Sequence, residues 1–154
     1  MKMFRGAAIG TLLVIGAGSE ASAYSLVPTQ TKFILTGVAS VLYGASFTGC
    51  PVTLTGIIPR NSRDSSIQAM VGSTPCGGLV GTNLPWPLRA KNGTKAQISN
   101  FTYTVPGNVC GPVTIHPTVD ANGVWTWHLR SIGATSVCVF DASLQSTPPI
   151  TIVP

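Results

Sequence analysis

Few side chains in this sequence can act as an acid, a base or a nucleophile near neutral pH. Beyond residue 23, the only carboxylates are Asp64, Asp120 and Asp141, and the only imidazoles are His116 and His128. A Ser-His-Asp arrangement or a pair of catalytic carboxylates has to be assembled from this set. The sequence also lacks the GxSxG, HExxH and P-loop motifs. We therefore predict no catalytic residue and a non-enzymatic protein, with both histidines interpreted as surface side chains.

Four cysteines are the other reactive groups: Cys50, Cys76, Cys110 and Cys138. None has the close CxxC spacing of a zinc site, and only two histidines are present to complete one. An even number of cysteines downstream of an export signal predicts two disulfides formed in an oxidising compartment. Oxidation removes every thiolate nucleophile. We predict no metal site and no cofactor.

A short internal repeat bears on the pairing of these cysteines. The first half contains CPVTL and then GSTPC, and the second contains CGPVTI and then GATSVC, each with a turn and a strand between. A true repeat would pair Cys50 with Cys76 and Cys110 with Cys138. Motifs this short also match by chance, so the other two connectivities stay open. Closing each such loop would stabilise the fold by about 3–4 kcal/mol in the chain-entropy description.

Three tryptophans could fill a core or form a binding surface: Trp86, Trp125 and Trp127. Core filling is the leading interpretation, because an indole buries a large apolar area. The alternative is an exposed platform that stacks sugars or contacts an apolar surface. Trp86 is the best candidate for such exposure, because it lies between two prolines in a segment that reads as a loop.

The N-terminus has the three parts of a secretory signal peptide. Lys2 and Arg5 precede the uncharged run 6–18, and small residues at Ala21 and Ala23 suit a signal peptidase. A membrane anchor is the alternative, but about 20 apolar residues are needed to span a bilayer, and this run is shorter and rich in glycine. We predict cleavage after Ala23, and a secreted protein that is extracellular or periplasmic. We assign 1–23 to the signal peptide and 24–154 to one domain.

The remaining chain is weakly basic. Once Lys2, Arg5 and Glu20 are removed, seven of the nine basic and three of the four acidic residues remain, giving a net charge of +4. The basic residues are scattered along the sequence without a dense run. Nucleic-acid binding usually needs a basic stripe with stacking aromatics. We therefore predict no nucleic-acid partner and interpret these charges as solubilising.

The pattern beyond residue 23 is typical of short strands and turns. Glycine, proline, threonine, serine and valine are abundant, and no amphipathic helical period appears. We predict an all-β, single-domain antiparallel β-sandwich with two disulfides. The expected strands are Lys32–Val38, Cys50–Thr55, Ile67–Val71, Ala96–Val105, Pro112–Pro117, Gly123–Ile132, Ser136–Leu144 and Ile150–Val153.

Local signals refine this scheme. Trp125, Trp127 and Leu129 share one parity and are expected to face inward. The Asn-Gly pair that ends at Gly123 predicts a hairpin turn, because both residue types tolerate positive φ. In the segment 96–105 the apolar parity changes, which predicts a bulge or bend at Asn100 or the residue before it.

The order of the motifs resembles a known family. CPVTLTG begins at Cys50, NLPWPL begins at Asn83 between the second and third cysteines, and CGP begins at Cys110. The fourth cysteine is followed by a closing STPPITI. Together these segments resemble small secreted bacterial proteins described as activators of alkane oxidation, the PraB-like family, of which this chain would be a divergent member.

The resemblance implies a non-catalytic protein linked to growth on hydrocarbons. Such a protein would act by contact with an apolar interface, a cell surface or a matrix polymer, for example by emulsifying oil. The first alternative is a structural subunit of a surface fibre or biofilm matrix, in which self-association uses the C-terminal strand Ile150–Val153. The second is a carbohydrate-binding module. No integral membrane segment is expected after signal cleavage.

Overall fold

A computed structural model describes residues 24–132 and 137–154, and the signal peptide expected at 1–23 lies outside the described residues. The described chain is built from strands and one short 3-10 turn, η1. All strand pairs are antiparallel, so the all-β antiparallel prediction is confirmed. The elements are β1 (Ser25–Val27), β2 (Thr31–Tyr43), β3 (Ser46–Ile58), η1 (Ser62–Asp64), β4 (Ser66–Gly72), β5 (Val80–Gly81), β6 (Trp86–Ala90), β7 (Ala96–Val105), β8 (Asn108–Ile115), β9 (Thr118–Val119), β10 (Val124–Ile132), β11 (Val137–Thr147) and β12 (Thr151–Val153).

Ten strands form one sheet, in the order β9, β10, β11, β2, β3, β4, then β5 and β6 side by side, then β7 and β8. The two ends of this sheet meet. Thr118 of β9 pairs with Thr126 of β10 and also bridges to Lys95, just before β7. The amide of Ala96 donates to the Pro117 carbonyl at 2.9 Å. A separate two-stranded sheet, β1 with β12, joins the two ends of the described chain.

The core lies between two facing layers of this sheet. Phe101 of β7 packs against Trp127 of β10 and Phe140 of β11, with ring centroids 6.3 and 5.3 Å apart. Neither β10 nor β11 is a hydrogen-bonded neighbour of β7. The rings therefore meet across the core and not along one sheet. This two-layer packing matches the expected sandwich, and inward–outward alternation along most of the strands supplies the apolar filling.

The local sequence signals are also confirmed. Asn100 has φ of 60°, and the pairing of β7 with β8 shifts register beside it, as the parity change predicted. Gly123 has φ of 77° in the turn before β10. The Asp120 carboxylate oxygen Oδ1 accepts hydrogen bonds from the amides of Asn122 and Val124, at 2.8 and 2.9 Å. Side-chain capping by an aspartate fixes this turn and sets the start of the tryptophan strand.

Both disulfides follow the pairing that the half-repeat favoured. Cys50 of β3 is bonded to Cys76, and Cys110 of β8 is bonded to Cys138 of β11. The first disulfide ties the loop after β4 back onto β3. The second crosses between the two layers of the sandwich.

Candidate functional site

The tryptophans do not form a surface. Trp86 is fully buried, in agreement with core filling and against the alternative of an exposed platform, for which it was the best candidate. The segment with its two flanking prolines is a strand, β6, whose inward positions are Trp86, Leu88 and Ala90, and Pro87 points outward. Trp86 Nε1 donates to the Thr82 carbonyl at 2.8 Å. A side chain at Gly81 would crowd the core, because its Cβ would lie 2.9 Å from Met70 Cβ and 3.0 Å from this indole.

Trp125 and Trp127 are buried as well, on the inward face that the alternation of β10 predicted. Trp127 stacks on Phe140 with a centroid distance of 5.8 Å and nearly parallel planes. The three tryptophans therefore supply no exposed ring for stacking a sugar or touching an apolar phase. The carbohydrate-binding alternative loses the residues on which it depended.

Among the described residues, the cluster with acid–base character lies on the outer face of β10 and β11. His128 Nδ1 lies 3.2 Å from Asp141 Oδ1, without hydrogen-bond geometry, and Arg130 lies 3.4 Å from Oδ2. Ser40 of β2 is the cross-strand partner of Asp141 on its other side. The order in the row is therefore His128, Asp141, Ser40. A catalytic triad requires the imidazole between the acid and the hydroxyl, so this row does not assemble one.

The described residues contain no other constellation of this kind. Within residues 24–132 and 137–154, no group of three or more histidine, cysteine or acidic side chains could hold a metal ion. Over the same ranges, no helix is long and apolar enough to cross a membrane.

An uncharged row of side chains crosses the outer face of the sheet. Cross-strand pairing places its seven members side by side in the order Gln145, Thr36, Thr53, Val71, Val80, Thr104, Val109. We call this the valine–threonine row. None of its members is buried, and Val71, Val80 and Val109 expose 48%, 40% and 60% of their area. Adjacent strands lie about 4.8 Å apart, so the row forms a continuous band.

The neighbouring rows on β11, β2 and β3 are uncharged too. Ser143, Val38 and Pro51 form the row on one side, and Thr147, Ile34 and Thr55 form the row on the other. Val38 exposes 57% of its area and Ile34 exposes 43%. These three rows together are the uncharged face. The nearest charged residues on β2 and β11 are Lys32 and Asp141. Each lies two residues beyond the border of the uncharged face.

The uncharged face continues into one end of the molecule, which we call the uncharged end and define as residues 43–47, 73–79, 106–109 and 137. The loops of this end are in contact with one another. Tyr43 Oη accepts a hydrogen bond from the Gly78 amide at 2.9 Å, and Gly78 packs so closely on Pro106 that a Cβ there would lie 3.2 Å from the proline ring. Phe47 is 66% exposed, and Val137, beside the Cys110–Cys138 disulfide, is 41% exposed. No member of this end is ionisable except the tyrosine.

The opposite end carries almost all of the basic charge. Basic residues that are scattered in sequence are brought together there, and we call them the basic end: Lys32, Arg60, Arg63, Arg89, Lys91 and Lys95. Asp64 and Asp120 are the acidic residues of this end. Arg130 and Asp141, the other ionised pair of the described chain, lie together elsewhere. The basic end therefore holds the whole net charge of +4 of the described chain.

Backbone contacts explain how the basic end forms. Lys32 near the start of β2 pairs with Ile57 near the end of β3, and η1 with Arg63 follows β3 directly. The amide of Leu88 donates to the Ser65 carbonyl at 2.9 Å, which brings Arg89 of β6 beside η1. Lys91 and Lys95 lie in the connection from β6 to β7. The basic end cannot be recognised from the order of residues in the sequence, because it forms only when β4 pairs with β6.

The C-terminal strand proposed for self-association lies in the same half of the molecule. β12 spans Thr151–Val153 and pairs over its three residues with β1 of the same chain. Ile150 and Leu26 are fully buried beside it. Donation of β12 to a neighbouring copy would require it to leave β1, so self-association through this strand stays a prediction.

Comparison with known proteins identifies a family that this chain matches. A family model described as "Alkane oxidation protein activator PraA/PraB-like" matches residues 1–154, the whole chain. No curated protein and no solved structure matches it.

Proposed function

The chain belongs to the PraA/PraB-like family of alkane oxidation protein activators, and from this premise we propose that it is a secreted, non-catalytic accessory protein that acts by contact with an apolar interface. The family description links it to alkane oxidation and names an activator. One observation supports contact with an apolar interface: the uncharged face and the uncharged end are separated from the basic end.

Adsorption to oil replaces contact with water by contact with an apolar phase, which favours apolar groups and penalises charged ones. The uncharged face offers exposed valines and isoleucine, with threonine and serine hydroxyls between them. The uncharged end adds Phe47, a large ring that is 66% exposed. Since the nearest ionised groups stand at the borders of this surface, it can meet an oil surface without desolvating a charge.

A groove at the border of the uncharged face supports the same interpretation. It has a volume of about 410 Å³ and lies where the pairing of β3 with β4 shifts register. Its lining residues include Ile34, Thr55 and Ile57, together with the charged Lys32. A flexible alkyl segment at an oil surface could settle against these side chains.

The test measures the tension of a hexadecane–water interface with purified protein that begins at residue 24. We expect the wild type to lower the tension. Val38→Asp should lower it less, because the new carboxylate must lose its hydration within the uncharged face. Val38→Thr, which keeps the β-branch without a charge, should behave as the wild type does.

Ala121→Asp is the matched control, because it adds the same charge in an exposed turn at the basic end. It should retain the wild-type effect on the tension. Failure of the wild type to lower the tension, or equal loss from Val38→Asp and Ala121→Asp, would refute the proposed function.

A further inference from the structure

We infer that the basic end is a binding site for an acidic polysaccharide whose repeating units carry carboxylates, so that the protein holds a polyanionic matrix at one end while the uncharged face contacts oil. The polysaccharide site is separate from the uncharged surface and does not depend on the proposed function. Three observations support it: the cations of the basic end form no salt bridge among the described residues, Arg63 and Arg89 line an open groove, and no exposed tryptophan lies beside them.

Among the described residues, no cation of the basic end forms a salt bridge. In the part of the chain that the structure describes, the salt bridges join Asp141 to His128 and Arg130 only. The two acidic groups of the basic end are engaged in their own turns: Asp64 Oδ2 accepts from the Asn61 side-chain amide at 3.1 Å, and Asp120 caps the turn before β10. The basic side chains therefore remain available to an external anion.

Arg63 and Arg89 both line an open groove of about 310 Å³. Ser65, Ser66 and the outward ring of Pro87 also line it, and Asp64 stands beside Arg63. Each guanidinium can bind a carboxylate through two parallel N–H donors. A groove that is open at the surface accommodates a polymer passing through it, in contrast to an enclosed pocket for a small acid.

The charges extend beyond the groove. Arg89 precedes the connection that carries Lys91 and Lys95, so a chain lying in the groove can continue along further cations. Asn92 and Thr94 in that connection are exposed. Regularly spaced carboxylates with hydroxyls between them match this mixture of cations and neutral polar groups.

The same surface fits other polyanions less well. Single-stranded nucleic acid is usually held by aromatic rings on which bases stack. All three tryptophans are buried, and Tyr24, the ring beside Gly93 at the basic end, packs against the core and is only partly exposed. Anionic lipid is usually held by cations combined with apolar side chains that enter the bilayer. The uncharged end holds Phe47, the exposed ring, on the opposite side of the molecule from these cations. An acidic polysaccharide requires neither feature.

The test measures binding of the protein from residue 24 onward to immobilised polygalacturonate. We expect binding at low ionic strength that is lost at about 1 M salt, where the screening length is about 3 Å. The double variant Arg63→Gln/Arg89→Gln should bind roughly tenfold more weakly, because two charge-assisted contacts are removed. Arg130→Gln is the control, because it removes one guanidinium outside the basic end, and it should bind within about twofold of the wild type, as exposed charges contribute little at a distance.

Three comparisons decide the chemistry. Fully methyl-esterified polygalacturonate should not bind, and single-stranded DNA and vesicles containing anionic phospholipid should bind more weakly per charge than the polyuronate. Equal weakening by Arg130→Gln, binding to the methyl ester, or tighter binding to DNA or vesicles would overturn the inference. Circular dichroism verifies that both variants are folded. Because no oil is present, the outcome is independent of the interfacial-tension experiment.

Discussion

Cys110 and Cys138 join β8 to β11 with their Cα atoms 5.7 Å apart, although these strands share no backbone pairing. β8 is at one end of the ten-stranded sheet and β11 is near the other, so the disulfide fastens the two layers together directly. Two exposed valines, Val109 and Val137, precede the bonded cysteines. The covalent link therefore holds together an end of the molecule that has no charged groups to organise it.

Loss of either disulfide should destabilise the fold. The bonded residues are separated by 26 positions in Cys50–Cys76 and by 28 in Cys110–Cys138. Loops of this size predict a decrease in unfolding free energy of about 3–4 kcal/mol when both cysteines of a pair become serine. Denaturant unfolding followed by tryptophan fluorescence measures the change. The similar loop lengths predict similar losses, and a double-serine variant as stable as the wild type would contradict this.

The burial of all three indoles predicts the optical properties of the native protein. Trp86, Trp125 and Trp127 are at most 3% exposed, so acrylamide should quench the native fluorescence only weakly and the unfolded chain strongly. Trp86→Ala should lower the unfolding free energy by about 3–5 kcal/mol, because a buried indole leaves a cavity. An exposed platform would instead give strong quenching and a nearly neutral substitution. Comparing the quenching constants before and after unfolding distinguishes the two cases.

The sequence predicted features that depend on neighbouring residues and missed those that depend on distant pairing. The parity change at Asn100, the turn at Gly123 and the inward tryptophans of β10 are local patterns, and each is confirmed. The flanking prolines made Trp86 the best candidate for exposure, because proline is usually excluded from paired strands. Pro87 is accommodated in β6 because it faces outward, and the pairing of Ile67 with Trp86 carries the indole into the core.

The candidate surfaces also depend on pairing between residues that are distant in the sequence, so the sequence alone does not reveal them. Each member of the valine–threonine row lies on a different strand, so the row exists only once the sheet has its register. The basic end likewise joins Lys32 to Arg89 through β3, β4 and β6. The scattered positions of the basic residues led to the interpretation that they only keep the surface soluble, and the fold shows that they are concentrated. The family resemblance was carried by short motifs in order, which sequence comparison detects without any folding.

Tyr103 predicts a loss of stability at alkaline pH. Burial raises the pKa of its phenol above the ordinary value of 10.0, and its hydroxyl donates to the Val139 carbonyl at 3.2 Å. Above pH 10 the unfolded chain releases this proton while the folded chain retains it. The associated stability is fully present below pH 10 and falls by up to about 1.4 kcal/mol per pH unit above it.

Tyr103→Phe provides the comparison. It should cost about 1 kcal/mol at neutral pH through the lost hydrogen bond. Its unfolding free energy should then fall less steeply than that of the wild type between pH 10 and about pH 11. Urea unfolding at several pH values measures both effects. Parallel pH profiles for the two proteins would show that the Tyr103 phenol is not responsible for the alkaline slope.

The separation of the two ends predicts the orientation of the adsorbed protein. If the uncharged face meets the oil, Lys91 and Lys95 stay in water, because they lie in the connection at the basic end. A water-soluble amine reagent should then modify both residues as fast on hexadecane droplets as in solution. Pre-binding of polygalacturonate should instead slow their modification, because the polymer covers the same side chains.

Mass spectrometry of the labelled peptides measures each rate. Protection of Lys91 and Lys95 on bare droplets would place the basic end against the oil and contradict the orientation, since adsorption by that end would have to desolvate six cations.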